Sequence, residues 1–246
     1  MEKAKPPRIG IINDLHYDGR CQALNRLYGS VALLNQGRAD RLVVMGDLVD
    51  ADSEMNAQRL LREVAALCDS FRGSVRYMPG NHDLDHLSKP LFFRTLGCPG
   101  DEPVFSLEEG GVALVGIDGN FSPDGTEYDH GNFTWKEALV PDGQLAWLEG
   151  RLAEAREPVV LFSHQRIDVP GRYSVRNHDA VREVIRRSGK VRAVFQAHRH
   201  ADDLRQIDGT TYYTLGAHMD EAGPAMVHID SRGIRLDRDF QPLELS

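Results

Sequence analysis

The sequence has 246 residues, 41% of them hydrophobic and 27% charged, which is the ordinary globular range and predicts a single domain over residues 1–246 with a flexible lead at residues 1–7. The net charge of −8 disfavours nucleic acid and anionic membranes as partners. The sequence shows neither a membrane-spanning apolar run of roughly 18 residues nor an N-terminal signal peptide, so we expect a cytoplasmic protein.

Short apolar runs alternate with amphipathic stretches in the first third of the chain. An apolar stripe from Leu24 to Leu34 predicts a helix that ends in a left-handed cap at Gly37. A second helix is expected to begin after Ser53, a suitable N-cap. Apolar runs before, between and after these helices predict buried strands at residues 9–12, 42–45 and 75–78.

Further strands and helices are predicted in the rest of the chain. One helix is expected around Leu145 to Leu152 and another between Asn177 and Gly189, while residues 118–140 form an irregular stretch too long for a simple connector. Two sheets flanked by helices, an α/β fold, is the simplest architecture for this order. The remaining strands are expected at residues 112–117, 159–162, 191–195, 210–215, 225–229 and 234–236.

Side chains of the metal-binding type follow five of these predicted strands. Taken singly, an Asp or Asn after a strand is usually a turn former or a helix cap, and a lone His is usually structural. The C-terminal ends of strands in an open α/β sheet share one edge, so together the five segments predict one crevice. The residues concerned are Asp14, His16, Asp47, Asn81, His164, His198 and His200.

These blocks resemble the calcineurin-like metallophosphoesterase family. The matching segments are Asp14-Leu15-His16, Gly46-Asp47, Gly80-Asn81-His82-Asp83, His164 and His198-Arg199-His200. The resemblance spans Ile9 to His200 and implies a four-layer αββα sandwich of two mixed β-sheets flanked by helices. It also implies that one metal is held by Asp14, His16, Asp47 and His200, and the other by Asp47, Asn81, His164 and His198, with Asp47 bridging.

The resemblance implies a hydrolase of phosphomonoesters, phosphodiesters or pyrophosphate bonds with two divalent or trivalent metal ions. Carboxylate, imidazole and carboxamide ligands without thiolate suit Mn, Fe or Zn. Two cations roughly 3.5–4 Å apart can lower the pKa of a shared water, so that a bridging hydroxide attacks phosphorus. We expect a small, nucleotide-like phosphorylated substrate. The alternative is a non-catalytic metal-binding scaffold on the same fold.

Two residues beside the proposed ligands have expected catalytic roles. By the resemblance His82 stabilises the reacting phosphorus or protonates the departing oxygen, although a structural His next to a ligand is the alternative. Asp83 is expected either to orient the His82 ring or to cap the following turn.

Three more residues are candidates for substrate contacts. Arg166 stands where the family often has Pro, and is either a phosphate clamp or an exposed loop cation. Asn120 lies in the irregular loop with Tyr128, Phe133 and Trp135, whose aromatic rings either contact substrate or form a satellite core. His218 follows a strand-like run and could line the same crevice.

Overall fold

The computed structural model describes residues 5–156, 158–230, 233–238 and 241–242, so residues 1–4 of the predicted lead lie outside it. The described residues form two six-stranded mixed sheets. The first sheet contains β1 (Ile9–Ile12), β2 (Arg41–Met45), β3 (Ser74–Met78), β10 (Ala225–Asp230), β11 (Gly233–Arg238) and β12 (Gln241–Pro242). The second contains β4 (Phe105–Glu109), β5 (Val112–Ile117), β6 (Val159–Ser163), β7 (Val191–Gln196), β8 (Asp203–Ile207) and β9 (Thr210–Thr214).

The strand order places the parallel strands in the middle of each sheet. The first sheet has the order β12-β11-β10-β1-β2-β3, and the second has the order β4-β5-β6-β7-β9-β8. Strands β1, β2 and β3 are parallel, as are β5, β6, β7 and β9, while the other neighbours pair antiparallel. Each sheet therefore directs several strand C-termini towards one edge.

Five α-helices flank the sheets. They are α1 (Cys21–Gln36), α2 (Glu54–Cys68), α3 (Lys89–Thr95), α4 (Asp142–Glu154) and α5 (His178–Ser188) in the part of the chain that is described. The Ser53 hydroxyl caps α2 by accepting from the Asn56 amide at 3.4 Å, as expected. Gly189 ends α5 with φ of +62°. The left-handed cap predicted at Gly37 is wrong, because Gly37 has φ of −69° and Arg38 adopts φ of +56°.

Three apolar layers separate these elements. Ile11 and Met45 of the first sheet pack against Phe162 and Phe195 of the second, between the two sheets. A second cluster joins α1 and α2 to the outer face of the first sheet, and a third joins α4 and α5 to the outer face of the second. The predicted four-layer αββα arrangement is confirmed. None of the helices in the described ranges has the length and apolar character needed to cross a bilayer.

Candidate metal centre

Loops at the ends of five strands meet at one edge of the two sheets. Three of them follow β1, β2 and β3 of the first sheet, and two follow β6 and β7 of the second. Parallel strands end on the same side, so these loops carry their side chains to a common crevice. The side chains that meet there include the seven predicted metal ligands.

The backbone is strained at five of these seven residues. Values of φ between +45° and +67° are found at Asp14, His16, Asp47, His198 and His200. A residue other than glycine costs about 1–3 kcal/mol in such a region, and such residues cluster at functional sites. Neighbouring loops hold the conformation, since the Asp14 amide donates to Gly46 O at 3.0 Å and the His16 amide to Asp47 O at 2.9 Å.

Two glycines allow these loops to approach closely. A Cβ atom on Gly80 would lie 2.1 Å from Asp47 Oδ1 and 2.3 Å from the Asp47 amide nitrogen. A Cβ atom on Gly46, which has φ of +80°, would lie 2.2 Å from His164 Nδ1. Only glycine fits at either position without displacing a candidate ligand.

One group of donor atoms is formed by Asp14, His16 and His200, all within 4.8 Å of one another. The Nε2 atoms of His16 and His200 lie 3.1 Å apart, and His200 Nε2 lies 3.7 Å from Asp14 Oδ1. Separations of this size suit ligands that converge on one ion.

A second group is formed by Asp47, His164 and His198. Asp47 Oδ2 lies 3.2 Å from His164 Nε2 and also 3.6 Å from His16 Nε2 in the first group. Asp47 therefore stands between the two groups, where a bridging carboxylate is needed.

The chemistry of the buried atoms tests whether metal ions fit here. Most buried polar atoms in proteins have a hydrogen-bond partner, and leaving one without costs about 1–3 kcal/mol. Five such atoms at this site form no hydrogen bond among the described residues, including Asp47 Oδ2 and His164 Nε2 although they lie 3.2 Å apart, and cations would satisfy all five. They are Asp14 Oδ1, Asp47 Oδ2, Asn81 Oδ1, His164 Nε2 and His198 Nε2.

The charged groups around Asp47 keep its carboxylate ionised. Burial alone would raise the pKa of Asp47, but His164, His198 and His16 outweigh it and hold the pKa well below its usual range. The Asp47 carboxylate is therefore negatively charged at neutral pH, as a metal ligand must be. Burial and this nearby charge raise the pKa of Asp83 to about 7.

The profile of the calcineurin-like phosphoesterase family matches residues 7–202, which is most of the chain. The chain belongs to the calcineurin-like phosphoesterase family. Family membership and the donor groups together support a hydrolase of phosphoester bonds with a dinuclear metal centre. The predicted family is confirmed.

The chain is similar to one curated protein in sequence and to two solved structures in fold. A probable cyclic nucleotide phosphodiesterase from Fibrobacter succinogenes is 25% identical over 225 residues, which cover 87% of this chain and 80% of that protein. A dimetal phosphatase from Danio rerio matches with a TM-score of 0.78 and 17% identity, over 97% of this chain and 98% of that one. The anchor protein of the inner membrane complex of Plasmodium matches with a TM-score of 0.66 and 13% identity, over 94% and 84%. At these identities the two structures establish the fold alone.

His82 lies at the phosphoesterase site but pairs with a carboxylate that the sequence did not single out. Its Nδ1 lies 3.0 Å from Asp50 Oδ1, and the same oxygen lies 3.0 Å from Nδ1 of the ligand candidate His16. Burial disfavours the charged imidazole, but the hydrogen bond to Asp50 and the charge of Asp47 outweigh it and raise the pKa of His82 to about 9. Asp50 thus positions two imidazoles at once.

The expected pairing of Asp83 with the His82 ring is therefore wrong. The Asp83 carboxylate is fully buried and accepts the amides of Leu48 and Val49 at 2.9 and 3.1 Å, and that of Gly80 at 2.8 Å. It ties the loop after β2 to the loop after β3. The alternative of a helix cap is not seen either, because Asp83 lies inside a short 3-10 helix, His82–Leu84.

Arg166 is neither a phosphate clamp nor an exposed cation. Its side chain is buried and donates to both carboxylate oxygens of Asp168, at 2.9 and 2.6 Å, and to Asp203 at 2.9 Å. The clamp prediction is wrong because these carboxylates already occupy the planar fork of the guanidinium.

Asn120 is also buried, and it holds loops together instead of facing substrate. Its side-chain amide donates to Pro79 O and to Asp118 Oδ1, both at 2.9 Å, and its oxygen accepts from Gln165 at 2.6 Å. Asn120 therefore braces the segments that precede Asn81 and follow His164, and the predicted substrate contact is corrected.

His218 approaches the site through its backbone only. Its amide donates to Asn13 O at 3.0 Å, while its ring is buried and bonds the Ser30 hydroxyl of α1 at 2.8 Å. Burial, together with Arg26 and Arg238, lowers the pKa of His218 to about 4. The imidazole is neutral and turned away from the crevice, so the prediction that it lines the crevice is wrong.

A cavity of about 260 Å³ opens onto the metal centre. Four site residues line one side of it. Of the four residues on the other side, only Trp135 was a candidate for substrate contact in the sequence analysis. Tyr128 and Phe133 do not reach it, because their rings stack on each other at 3.8 Å as a satellite cluster under the loop. The site residues are Asn81, His82, His198 and His200, and the others are Trp135, Arg172, Tyr173 and Arg199.

Proposed function

We propose that this phosphoesterase hydrolyses phosphate esters of small, nucleotide-like molecules, with two metal ions of the Mn, Fe or Zn type. The observation that carries the proposal is the set of five buried donor atoms without partners, gathered around one carboxylate. Nitrogen and oxygen donors without thiolate favour these borderline metals.

The residues divide between two ion positions. Asp14, His16 and His200 would hold one ion, and Asn81, His164 and His198 the other, with Asp47 serving both. When bound, such ions neutralise the phosphoryl oxygens and activate the attacking water.

His82 is placed to move the proton. It lines the cavity with its side chain 42% exposed, and Asp50 fixes the ring through Nδ1, which leaves Nε2 for the substrate. As the water oxygen bonds to phosphorus, the P–O bond to the leaving group breaks and the leaving oxygen takes the His82 proton. The attacking water loses one proton to solvent and His82 later takes one proton from solvent, so the net reaction adds one water molecule across the ester bond.

The expected substrate is a small phosphate compound. The chain's charge of −8 would repel a polyanion, and the cavity of about 260 Å³ lies just below the roughly 300–1,000 Å³ typical of small-molecule pockets. The relative described as a probable cyclic nucleotide phosphodiesterase favours nucleotide chemistry.

A non-catalytic scaffold is the competing function. The same fold is found in the Plasmodium anchor protein, so the fold does not decide between the two. The complete donor set and the accessible His82 favour hydrolysis.

The test is a hydrolysis screen on chelated protein reloaded with Mn(II), Zn(II) or Fe(II). We expect turnover of nitrophenyl phosphate mono- or diesters and nucleotides, lost in both Asp47→Ala and His82→Ala, while His82→Ala still binds two ions. Two bound ions with no cleavage of any ester would establish the scaffold instead.

A further inference from the structure

A second cavity, of about 460 Å³, shares no lining residue with the cavity at the metal centre. It is bounded by α3, by residues 99–104 and by the loop after β5, and we call it the α3 cavity. Phe93, Phe121 and three prolines form its apolar wall. Its volume lies within the roughly 300–1,000 Å³ typical of small-molecule pockets, which combine apolar walls with a few charged groups.

Lys89 places a buried ammonium group in the wall of the α3 cavity. Its side chain is only 5% exposed, and Nζ lies 3.6 Å from the centre of the Phe121 ring. Nζ is paired by charge with Asp118 Oδ2 at 2.7 Å, but it forms no hydrogen bond among the described residues. Because an ammonium group has three N–H donors and buried donors need acceptors, a ligand oxygen in the cavity would be stabilised here.

Two carboxylates beside Lys89 disfavour a simple anion as the ligand. Glu127 Oε1 lies 3.5 Å from Lys89 Nζ, and its side chain is 60% exposed. Glu102 lines the same cavity, is exposed, and forms no ion pair in the part of the chain that the structure describes. Asp101 is already neutralised by Arg76 at 2.7 Å. The wall therefore keeps an excess of negative charge, so a ligand needs a positive group next to its oxygen acceptor.

We propose that the α3 cavity binds a small zwitterion of the α-amino-acid type. Its carboxylate meets Lys89, its ammonium group meets Glu127, and its apolar side chain packs against Phe93 and Phe121. An α-amino acid carries both charged groups on one carbon, so the two groups can pair with opposite charges that lie 3.5 Å apart. Each contact is a charge-assisted hydrogen bond, and one of them is buried.

Hydrogen bonds connect the α3 cavity to one ion position of the metal centre. Asp118 Oδ1 accepts from the backbone and side-chain amides of Asn120, both at 2.9 Å. Asn120 in turn donates to Pro79 O at 2.9 Å and accepts from Gln165 at 2.6 Å. These two contacts adjoin ligands that the proposed function assigns to the same ion, and this part of the inference rests on that assignment. The ligands are Asn81 and His164.

The inference therefore includes a coupling between the α3 cavity and this ion. A ligand that holds Lys89 against Asp118 also holds the Asn120 contacts, so it should strengthen binding of the ion. Linkage requires that the ion strengthens binding of the ligand by the same factor, and such factors are typically about 5–150-fold.

Three probes with one phenyl group test the site. L-phenylalanine has both charged groups, 3-phenylpropanoate lacks the ammonium group, and 2-phenylethylamine lacks the carboxylate. Calorimetric titration into metal-free protein gives the three dissociation constants without chelation of metal by the amino acid. We expect L-phenylalanine to bind about 10–100-fold more tightly than either partial probe, as one additional charge-assisted hydrogen bond allows.

Substitution of the exposed Glu127 places the binding in the α3 cavity. Glu127→Gln should lower the affinity for L-phenylalanine to that for 3-phenylpropanoate, and Lys89→Met should lower it to that for 2-phenylethylamine. If Lys89→Met fails to fold because buried Asp118 loses its partner, Glu127→Gln still decides. The matched control is Glu137→Gln, since Glu137 is a half-exposed carboxylate of the same loop that lies outside the cavity and pairs with Arg176. It should keep the full preference.

Equal affinities of the three probes, or a preference that survives Glu127→Gln, would overturn the site. Titration into protein loaded with Mn(II) tests the coupling, because L-phenylalanine should then bind about 5–150-fold more tightly than in metal-free protein. Asn120→Ala should remove this gain and keep the preference over the partial probes. An unchanged affinity would overturn the coupling. A gain that persists in Glu127→Gln would also overturn it, because L-phenylalanine would then bind at the ions. Ester cleavage plays no part in these titrations, so failure of the proposed hydrolysis leaves the metal-free result unchanged.

Discussion

Replacing Asp50 with Asn removes one negative charge from between two imidazoles while keeping a side chain of the same shape. Asp50 Oδ1 lies 3.0 Å from Nδ1 of His16 and 3.0 Å from Nδ1 of His82. The first contact orients a candidate metal ligand, and the second orients the candidate proton donor. One substitution should therefore weaken both metal binding and turnover.

The structure sets the size of each effect. A hydrogen bond to a charged group contributes about 1.5–3 kcal/mol, and loss of the partner of a metal-binding His typically costs 10–100-fold in affinity or activity. The Asp50 side chain is 39% exposed, so solvent screening places both effects near the lower end. We expect about a tenfold loss of Mn(II) affinity and about a tenfold lower kcat at saturating metal.

Calorimetric Mn(II) titration gives the affinity, and steady-state kinetics at saturating Mn(II) gives kcat. Asp85→Asn is the control, because Asp85 lies 3.5 Å from His82 Nδ1 and forms no contact with His16 in the described residues. It should leave Mn(II) affinity unchanged. An Asp50→Asn protein that keeps both constants would refute the positioning role, and a loss of kcat alone would refute the link to His16.

Three further substitutions have distinct expected outcomes. Gly80→Ala should abolish binding of two ions, measured by metal analysis, because its Cβ would lie 2.1 Å from Asp47 Oδ1. Gly150→Ala is the control and should keep both ions, because the space around Gly150 is open. Equal metal contents in the two variants would contradict this reasoning. Arg166→Ala should lower the free energy of unfolding by about 3 kcal/mol in urea titrations, since among the described residues buried Asp168 keeps only the more distant Arg205, at 3.7 Å. A loss of substrate affinity at unchanged stability would instead support a phosphate clamp. The pKa of His218 is lowered from 6.5 to about 4, so between these pH values the unfolded chain binds a proton that the folded chain does not. The free energy of unfolding should therefore fall by about 3 kcal/mol as the pH drops from 6.5 towards 4. In metal-free protein His218→Gln should remove this part of the pH dependence, and an unchanged pH dependence would show that other groups cause it.

Most strands along the chain and the seven candidate ligands follow from local patterns in the sequence. Each ligand block sits directly after an apolar strand-like run, and parallel strands end at one edge, so convergence could be expected without coordinates. The short elements were harder to predict. Helix α3 spans only Lys89–Thr95, and strand β8 has exposed polar positions, so neither has a clear periodic pattern.

The side chains around the ligands could not be assigned from sequence because their roles depend on contacts between distant segments. Arg166 is held by Asp203, 37 positions away, and His218 bonds Ser30, 188 positions away. Asp50 and Arg172 belong to no sequence motif. Only the folded structure shows that Asp50 contacts His82 and that Arg172 lies over Trp135. Ligands that directly follow strands can therefore be predicted from the sequence, whereas contacts between two distant loops cannot.

Diffraction from crystals grown with Mn(II), recorded at the manganese absorption edge, tests the dinuclear centre most directly. Two anomalous peaks about 3.5–4 Å apart are expected, both within bonding distance of Asp47. One should contact Asp14, His16 and His200, and the other Asn81, His164 and His198. A single peak, or two peaks that do not share Asp47, would contradict the account.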